Sequence, residues 1–214
     1  MDNNNGVFIT FEGPECAGKT TQITLLKEYF SASGREVVVT REPGGTEIGE
    51  ALRGIVKHHR GSVPVSDETE VLLFAASRAQ HVAELISPAL ERGCAVICDR
   101  FIDSTTAYQG YARGLDMDFI RQLNDFAVGD CLPDLTVLLD ISADESLARG
   151  RKREDTLFVF DRIESEEIDF HRRVREGFLR IAEAEPGRVK VVSALGEIDD
   201  IHEQIASLVG GILK

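Results

Sequence analysis

No apolar run in the chain approaches the ~18 consecutive residues of a membrane-spanning helix. The opening segment MDNNNG carries neither a basic stretch nor an apolar one, so no secretory leader is expected and a cytoplasmic location is. Cysteine is sparse: Cys94 and Cys98 flank the apolar run CAVIC, Cys131 stands alone and Cys16 lies in a glycine-rich loop. None has paired zinc-ligand spacing, so buried free thiols in a reducing compartment are expected rather than a disulfide framework. The five histidines, at 58, 59, 81, 171 and 202, form no ligand spacing either. Basic charge is also short, with 24 Lys and Arg against 37 Asp and Glu, a net charge of −13. Gripping a nucleic-acid polymer takes clustered cations, so that class of partner is not expected, and any anionic ligand must be held by a local site. The 214 residues, 43% hydrophobic and 29% charged, suit a single domain spanning 1–214.

Five short β-branched runs recur: VFITF at 7–11, VVVT at 37–40, AVIC at 95–98, TVLLDI at 136–141 and VKVV at 189–192. Each is apolar almost throughout, as in strands covered on both faces. Helical patterns separate them. Ile23, Leu26 and Phe30 repeat at i, i+3, i+7 with Gly34 placed to end the helix. Ser66-Asp67-Glu68 opens a longer one carrying Val71, Leu72, Phe74, Ala75, Val82, Leu85 and Ile86, interrupted near Pro88. Ile168, Phe170, Val174, Phe178 and Ile181 mark a third, with Glu164, Glu166 and Glu167 read as its first turn. Ile198, Ile201, Ile205, Leu208 and Ile212 mark the last. Alternating strands and helices predict an α/β fold: a five-stranded parallel sheet with helices on both faces, and ligands beyond the carboxyl ends of its strands.

Directly after the first run comes Gly13-Pro14-Glu15-Cys16-Ala17-Gly18-Lys19-Thr20, a complete G-x-x-x-x-G-K-[ST] pattern. Such a loop turns its backbone N–H groups toward phosphate oxygens. Its lysine gives the β- and γ-phosphates a mobile cation, and its Thr20 hydroxyl can ligate Mg²⁺. A glycine turn ahead of a helix is the bland alternative, but the strand before and the helix after favour ATP binding. Glu15 inside the cradle would repel a triphosphate, so it is expected to face away, toward a sugar hydroxyl, a metal or solvent. After the third run, Asp99 is placed to hold Mg²⁺ or its water shell, and Arg100 to present a fork to a second phosphate.

Beyond these local readings the chain resembles the thymidylate kinase family over nearly its whole length. The likeness is carried by FEGPECAGKTTQ (11–22), TREPGGT (40–46), LLFAASRAQHV (72–82), DRFIDSTTAYQG (99–110), PDLTVLLDI (133–141) and DRIE (161–164). It implies a P-loop NTPase fold with three α/β/α layers, transfer of the γ-phosphoryl of ATP to dTMP with Mg²⁺, and a homodimer. It also implies that Phe74 stacks on thymine, that Arg78 donates to O4 and that Arg100 grips the dTMP phosphate. Thr105 then matches the position near N3, Tyr108 the ring crowding out a 2′-hydroxyl, Gln109 a polar neighbour of the base, and Glu15 the partner of the 3′-hydroxyl. Arg41 and Glu42 border the monophosphate.

Arg149, Arg151, Lys152 and Arg153 place four cations in five residues. A solvated helix end is one reading; the resemblance implies a lid, about 149–162, closing over ATP. Positions 14–17 are Pro, Glu, Cys and Ala, so the loop carries no basic residue, as in the bacterial-type subgroup whose transition-state arginine comes from the lid. Arg153 is expected first in that role and Arg149 second. Asp161 and Glu164 either bear on Mg²⁺ or cap the next helix. The rivals are another nucleoside monophosphate kinase and a non-catalytic nucleotide-binding protein.

Overall fold

The computed structural model describes residues 6–59, 61–154, 162–163 and 165–213. Strands β1 (Val7–Glu12), β2 (Val37–Arg41), β3 (Ala95–Asp99), β4 (Leu135–Asp140) and β5 (Val189–Ser193) form one parallel sheet in the order β2-β3-β1-β4-β5. The helices around it are α1 (Lys19–Ala32), α2 (Glu47–His58), α3 (Asp67–His81), α4 (Ser87–Glu91), α5 (Ile102–Thr105), α6 (Met117–Val128), α7 (Ala143–Glu154), α8 (Ile168–Ala184) and α9 (Ile198–Ile212). Among the described residues none is long and apolar enough to cross a membrane.

The sheet sits between two apolar layers because alternate side chains of a strand point to opposite faces. Val7, Ile9 and Phe11 pack with Leu26 and Phe30 of α1 and with Ile201, Ile205 and Val209 of α9. Phe8 packs the other way, with Ala75 of α3, Ala127 of α6 and Phe101. Every residue of β1 is buried, as the sequence predicts for a two-sided strand. The edge strands depart from that expectation, with Val39 of β2 44% exposed and Val191 of β5 49% exposed. An edge lacks the neighbour that would close over its outer side. At ~1.5–3 kcal/mol for a fully buried large apolar side chain, the central strands therefore carry most of the sheet's stability.

Other departures have local causes. The long helix predicted from Ser66 is three segments, α3, a π-helical turn at Val82–Ile86, and α4, where Pro88 stands in the first turn. Proline has no N–H for the helical ladder, and the wider π turn just ahead absorbs that break. Glu166 and Glu167 precede α8 rather than forming its first turn, and Glu166 instead accepts from Arg113 Nη1 at 2.5 Å. On α9, Ile198 and Ile212 are exposed, and the buried stripe is Ile201, Ile205 and Val209. The four cysteines, all among the described residues, form no disulfide; Cys94 and Cys98 are buried and Cys16 and Cys131 only partly so.

Topology places the site. β1 and β3 are neighbours, but the chain leaves them in opposite directions, toward β2 and toward β4, which opens a crevice at their carboxyl ends. The register sets Phe11 level with Asp99, so Gly13 and Arg100 emerge side by side. Asp103 then pins α5 to the far side of the sheet through two bonds to Arg188, of 2.7 and 2.8 Å.

Candidate active site

β1 ends in Glu12, and the chain turns at Gly13 with φ 129°. A Cβ there would lie 2.3 Å from the Leu139 carbonyl oxygen, so the backbone of β4 dictates glycine. The loop closes at Gly18, the N-cap of α1, in the left-handed region at φ 94°. No acidic residue occupies the first turn of α1, so its positive end faces the loop unopposed. Lys19 is 6% exposed and spans the loop, donating to the carbonyls of Gly13 at 3.2 Å and Pro14 at 2.9 Å. Burial and the nearby Arg100 push its pKa down, while Glu15, Asp99 and Glu12 work the other way. Ser146 of α7 donates to the Glu15 carbonyl at 2.6 Å and ties that helix to the loop.

Across the crevice Arg100 follows β3 with φ 70°. Its Nη2 meets Glu15 Oε1 at 2.6 Å, its Nη1 donates to Ser104 Oγ at 3.1 Å, and its guanidinium lies 5.2 Å from the centre of the Tyr108 ring. The partner of Glu15 is therefore a cation, Arg100, rather than solvent. Burial opposes its charge, yet Arg100, Lys19 and Lys57 outweigh that and hold its carboxyl well below the usual range. Burial pushes the Tyr108 phenol up. Glu12, fully buried, is pushed up to about 7 by burial and by Asp103, against the opposing pull of Arg100, Ser104 and Phe101.

Phe74 and Arg78 share one face of α3 and both line the same cavity as the loop. Arg78 is 1% exposed. Its Nε donates to Glu42 Oε2 at 2.8 Å, its Nη1 to Asn124 Oδ1 at 2.8 Å, and its Nη2 to Phe101 O and Thr105 Oγ1 at 3.0 Å each. A guanidinium has five N–H groups, so one on Nη1 is left over. The second oxygen of Glu42 lies 3.1 Å from His81 Nδ1, and His81 Nε2 lies 2.7 Å from Thr40 Oγ1. The peptide bond from Glu42 to Pro43 is cis. Thr105, Tyr108 and Gln109 come from α5 and the π-helical turn Thr106–Ala112 that follows, and Gln109 Nε2 donates to buried Glu70 at 2.7 Å. Arg41 lies at the rim, its Nη2 at 2.9 Å from Glu50 Oε1.

One cavity thus gathers Glu15, Cys16, Ala17, Gly18, Lys19, Thr20, Arg41, Phe74, Arg78, Asp99, Arg100, Thr105, Tyr108 and Gln109, all expected from the sequence. Gly13 and Pro14 shape its floor without lining it. It also holds Arg53, Lys57 and Ser104, to which the sequence alone assigned no individual role. Arg53 and Lys57 stand i, i+4 on α2, a helix the sequence reading left out, so that signal had no element to sit on. Six cationic side chains (Lys19, Arg41, Arg53, Lys57, Arg78, Arg100) face three acidic ones (Glu15, Glu42, Asp99), which suits an anion despite the net charge of −13. Arg149 is not among them. With Lys152, Gly196 and Ile198 it lines a second cavity on the outer side of Cys16, Ala17 and Gly18, and its Nη2 donates to Ala194 O at 3.0 Å. Arg153 stands in the last turn of α7, and its side chain, like Asp161 and Glu164, lies outside the described residues.

The donors fit magnesium. Asp99 Oδ1 is buried without a hydrogen-bond partner, and Thr20 lines the same cavity. Among the described residues no group of three or more His, Cys, Asp or Glu forms a metal cluster. A small, hard cation that keeps several waters and phosphate oxygens asks for no more than one or two protein oxygens.

The thymidylate kinase family model matches residues 11–205. A thymidylate kinase of Bacillus cytotoxicus is 47% identical over 204 residues, 95% of this chain and 97% of that protein. One from Trichormus variabilis is 44% identical over 209 residues, covering 98% of each. The crystal structure of thymidylate kinase from Ehrlichia chaffeensis superposes with a TM-score of 0.78 at 38% identity, covering 96% of this chain and 99% of that one. A phosphate loop facing an arginine-lined aromatic pocket, a P-loop NTPase sheet and these matches agree: the chain belongs to the thymidylate kinase family of ATP-dependent nucleoside monophosphate kinases.

Proposed function

We propose that the cleft transfers the γ-phosphoryl of ATP to dTMP, giving ADP and dTDP, within a single cytoplasmic kinase domain that binds neither membrane nor nucleic-acid polymer. The observation that carries this is one cavity that Lys19 and Thr20 share with Phe74, Arg78, Thr105, Tyr108 and Gln109, Arg100 touching both Glu15 of the phosphate loop and the Tyr108 ring. The acceptor phosphate is largely dianionic at neutral pH, its second pKa being about 6, so no general base is needed. Catalysis is then positioning and charge neutralisation.

In this reading Arg100 offers Nη2 to the acceptor phosphate in place of Glu15, and the released Glu15 takes the 3′-hydroxyl. Phe74 stacks on thymine and the spare Nη1–H of Arg78 donates to O4, with Thr105 beside N3 and Gln109 beside the base. Tyr108 fills the space a 2′-hydroxyl would need, and Arg41 borders the monophosphate. Backbone N–H groups of 13–20 and the Lys19 ammonium bind the ATP phosphates. Thr20 and Asp99 would hold Mg²⁺, which supplies Lewis-acid neutralisation of the phosphate oxygens when bound. Arg149 stands at the second cavity, suited to the donor's nucleoside end, which leaves Arg153 as the first choice for the transition-state cation from a bacterial-type lid.

The test is ADP release with a panel of acceptors. With dTMP, kcat/KM should exceed that with AMP or GMP by at least ~10²-fold, because a pocket built around polar base edges rejects partners that leave them unpaired. Equal turnover with a purine monophosphate removes the assignment.

The proposal extends to a homodimer. Phe119 and Phe126 lie i, i+7 on α6 and are 46% and 87% exposed; Leu72 on the adjoining α3 is 51% exposed. Ile48 and Ile55 repeat the i, i+7 spacing on α2, which packs on α3. Exposed apolar side chains on α2, α3 and α6, packed one on the next, suit an interface. Sedimentation equilibrium should give twice the chain mass, and Phe126→Asp should shift the species toward monomer; a monomeric wild-type chain would count against the interface.

A further inference from the structure

Glu12 touches no ligand in the reading above, yet it is fully buried at the centre of the machinery. Its Oε1 accepts from the N–H of Phe101 at 2.7 Å and of Ser104 at 3.1 Å. Its Oε2 accepts the Ser104 hydroxyl at 2.6 Å. That same hydroxyl oxygen accepts from Arg100 Nη1 at 3.1 Å, while Arg100 Nη1 stands 4.0 Å from Glu12 itself. The carboxylate therefore reaches the guanidinium through Ser104. It also clamps the peptide N–H directly after Arg100, whose φ of 70° few non-glycine residues adopt.

We propose that Glu12, acting through Ser104, is the positioning residue for Arg100: it holds the Nη1 edge of the guanidinium so that the Nη2 edge is aimed at the acceptor phosphate. The inference rests on Arg100 being the grip on that phosphate. The two edges are held differently. Nη1 is tied to a hydroxyl that is itself tied to the core. Nη2 meets Glu15, whose side chain is 34% exposed and can be exchanged for an anion. Tyr108 beneath the guanidinium plane limits rotation out of that plane. A glutamine would satisfy the two N–H groups with its single oxygen, but its NH₂ cannot accept the Ser104 hydroxyl. A carboxylate whose burial already pushes it up to about 7 is a poor choice for holding up backbone alone.

The experiment is titration calorimetry of dTMP, with ATP as control, on the full chain and on Glu12→Gln, Ser104→Ala, Arg100→Ala and the double variant Glu12→Gln/Arg100→Ala. Glu12→Gln should weaken dTMP about tenfold and ATP less than about twofold, since a misaimed guanidinium loses its charge-assisted pair. Ser104→Ala, which leaves Glu12 and the strand intact, should reproduce most of the loss and serves alone if Glu12→Gln does not fold. In the Arg100→Ala background the Glu12→Gln increment should vanish. An undiminished increment in that background, or equal losses for dTMP and ATP, overturns the positioning role. Unchanged dTMP affinity in Arg100→Ala alone instead overturns the reading of Arg100 on which it rests.

Discussion

Lys19→Ala is expected to lower kcat by about 10³-fold while the chain stays folded. Removing one preorganised donor from an anion-stabilising site typically costs ~10²–10³ in kcat, and Lys19 is a full charge rather than a neutral donor. Its position argues the same way. Lys19 is 6% exposed and its ammonium is held by two carbonyls of its own loop, so it meets the phosphates with little reorganisation. Its pKa is pushed down by burial and Arg100, with Glu15, Asp99 and Glu12 opposing that shift. A stability loss of about 1–3 kcal/mol should accompany it, because the Gly13 and Pro14 carbonyls that lose their donor belong to buried residues. Steady-state ADP release and a thermal melt on the same preparation check both halves. A kcat within tenfold of wild type would mean that the loop's N–H groups and the lid cations carry the phosphates without it.

The parts of this fold that were legible in the sequence are those whose cause is local. The phosphate loop is eight consecutive residues whose backbone requirements are written as glycines, and β1, β3 and β4 read as strands because both faces are buried. α6 was missed although Ile120 and Ala127 repeat at i, i+7, because Phe119 and Phe126, one position earlier in each case, set a second apolar stripe on an adjoining, exposed face. α2 was missed because Gly49 and Gly54 interrupt it, although Thr46 caps it through a bond from Gly49 N at 3.0 Å. In the site, residue types were legible and pairings were not. Glu15 and Arg100 are 85 positions apart and are brought together by the register of β1 and β3; Arg78 and Glu42 are 36 apart and meet only where α3 lies against the end of β2. Glu12 gave no signal, since a glutamate ending a strand next to a glycine loop reads as the point where the core meets solvent. That it is buried follows from Phe101 and Ser104 folding back over it, which a sequence of one chain does not display.

Arg78→Ala should cost stability as well as thymine recognition, and the stability loss is the larger surprise for a residue expected to serve the ligand. In the folded chain the guanidinium makes four hydrogen bonds, one of them to Glu42, whose side chain is only 3% exposed. Alanine leaves that carboxylate buried with His81 as its remaining partner and takes the Arg78 donors from Asn124 Oδ1 and from the Phe101 carbonyl, which keeps the Ser104 N–H. Breaking a buried ion pair from one side costs ~3–5 kcal/mol. For a chain of this size that is a fall in Tm of roughly 6–20 °C. The double variant Arg78→Met/Glu42→Gln should recover part of the loss, because it removes the unpaired charge while refilling the volume, yet it should not recover selection for dTMP. Differential scanning calorimetry of the three proteins with the dTMP affinity of each separates the two roles. A single variant melting within about 2 °C of wild type would show that water or His81 compensates Glu42, and that the network serves the base alone.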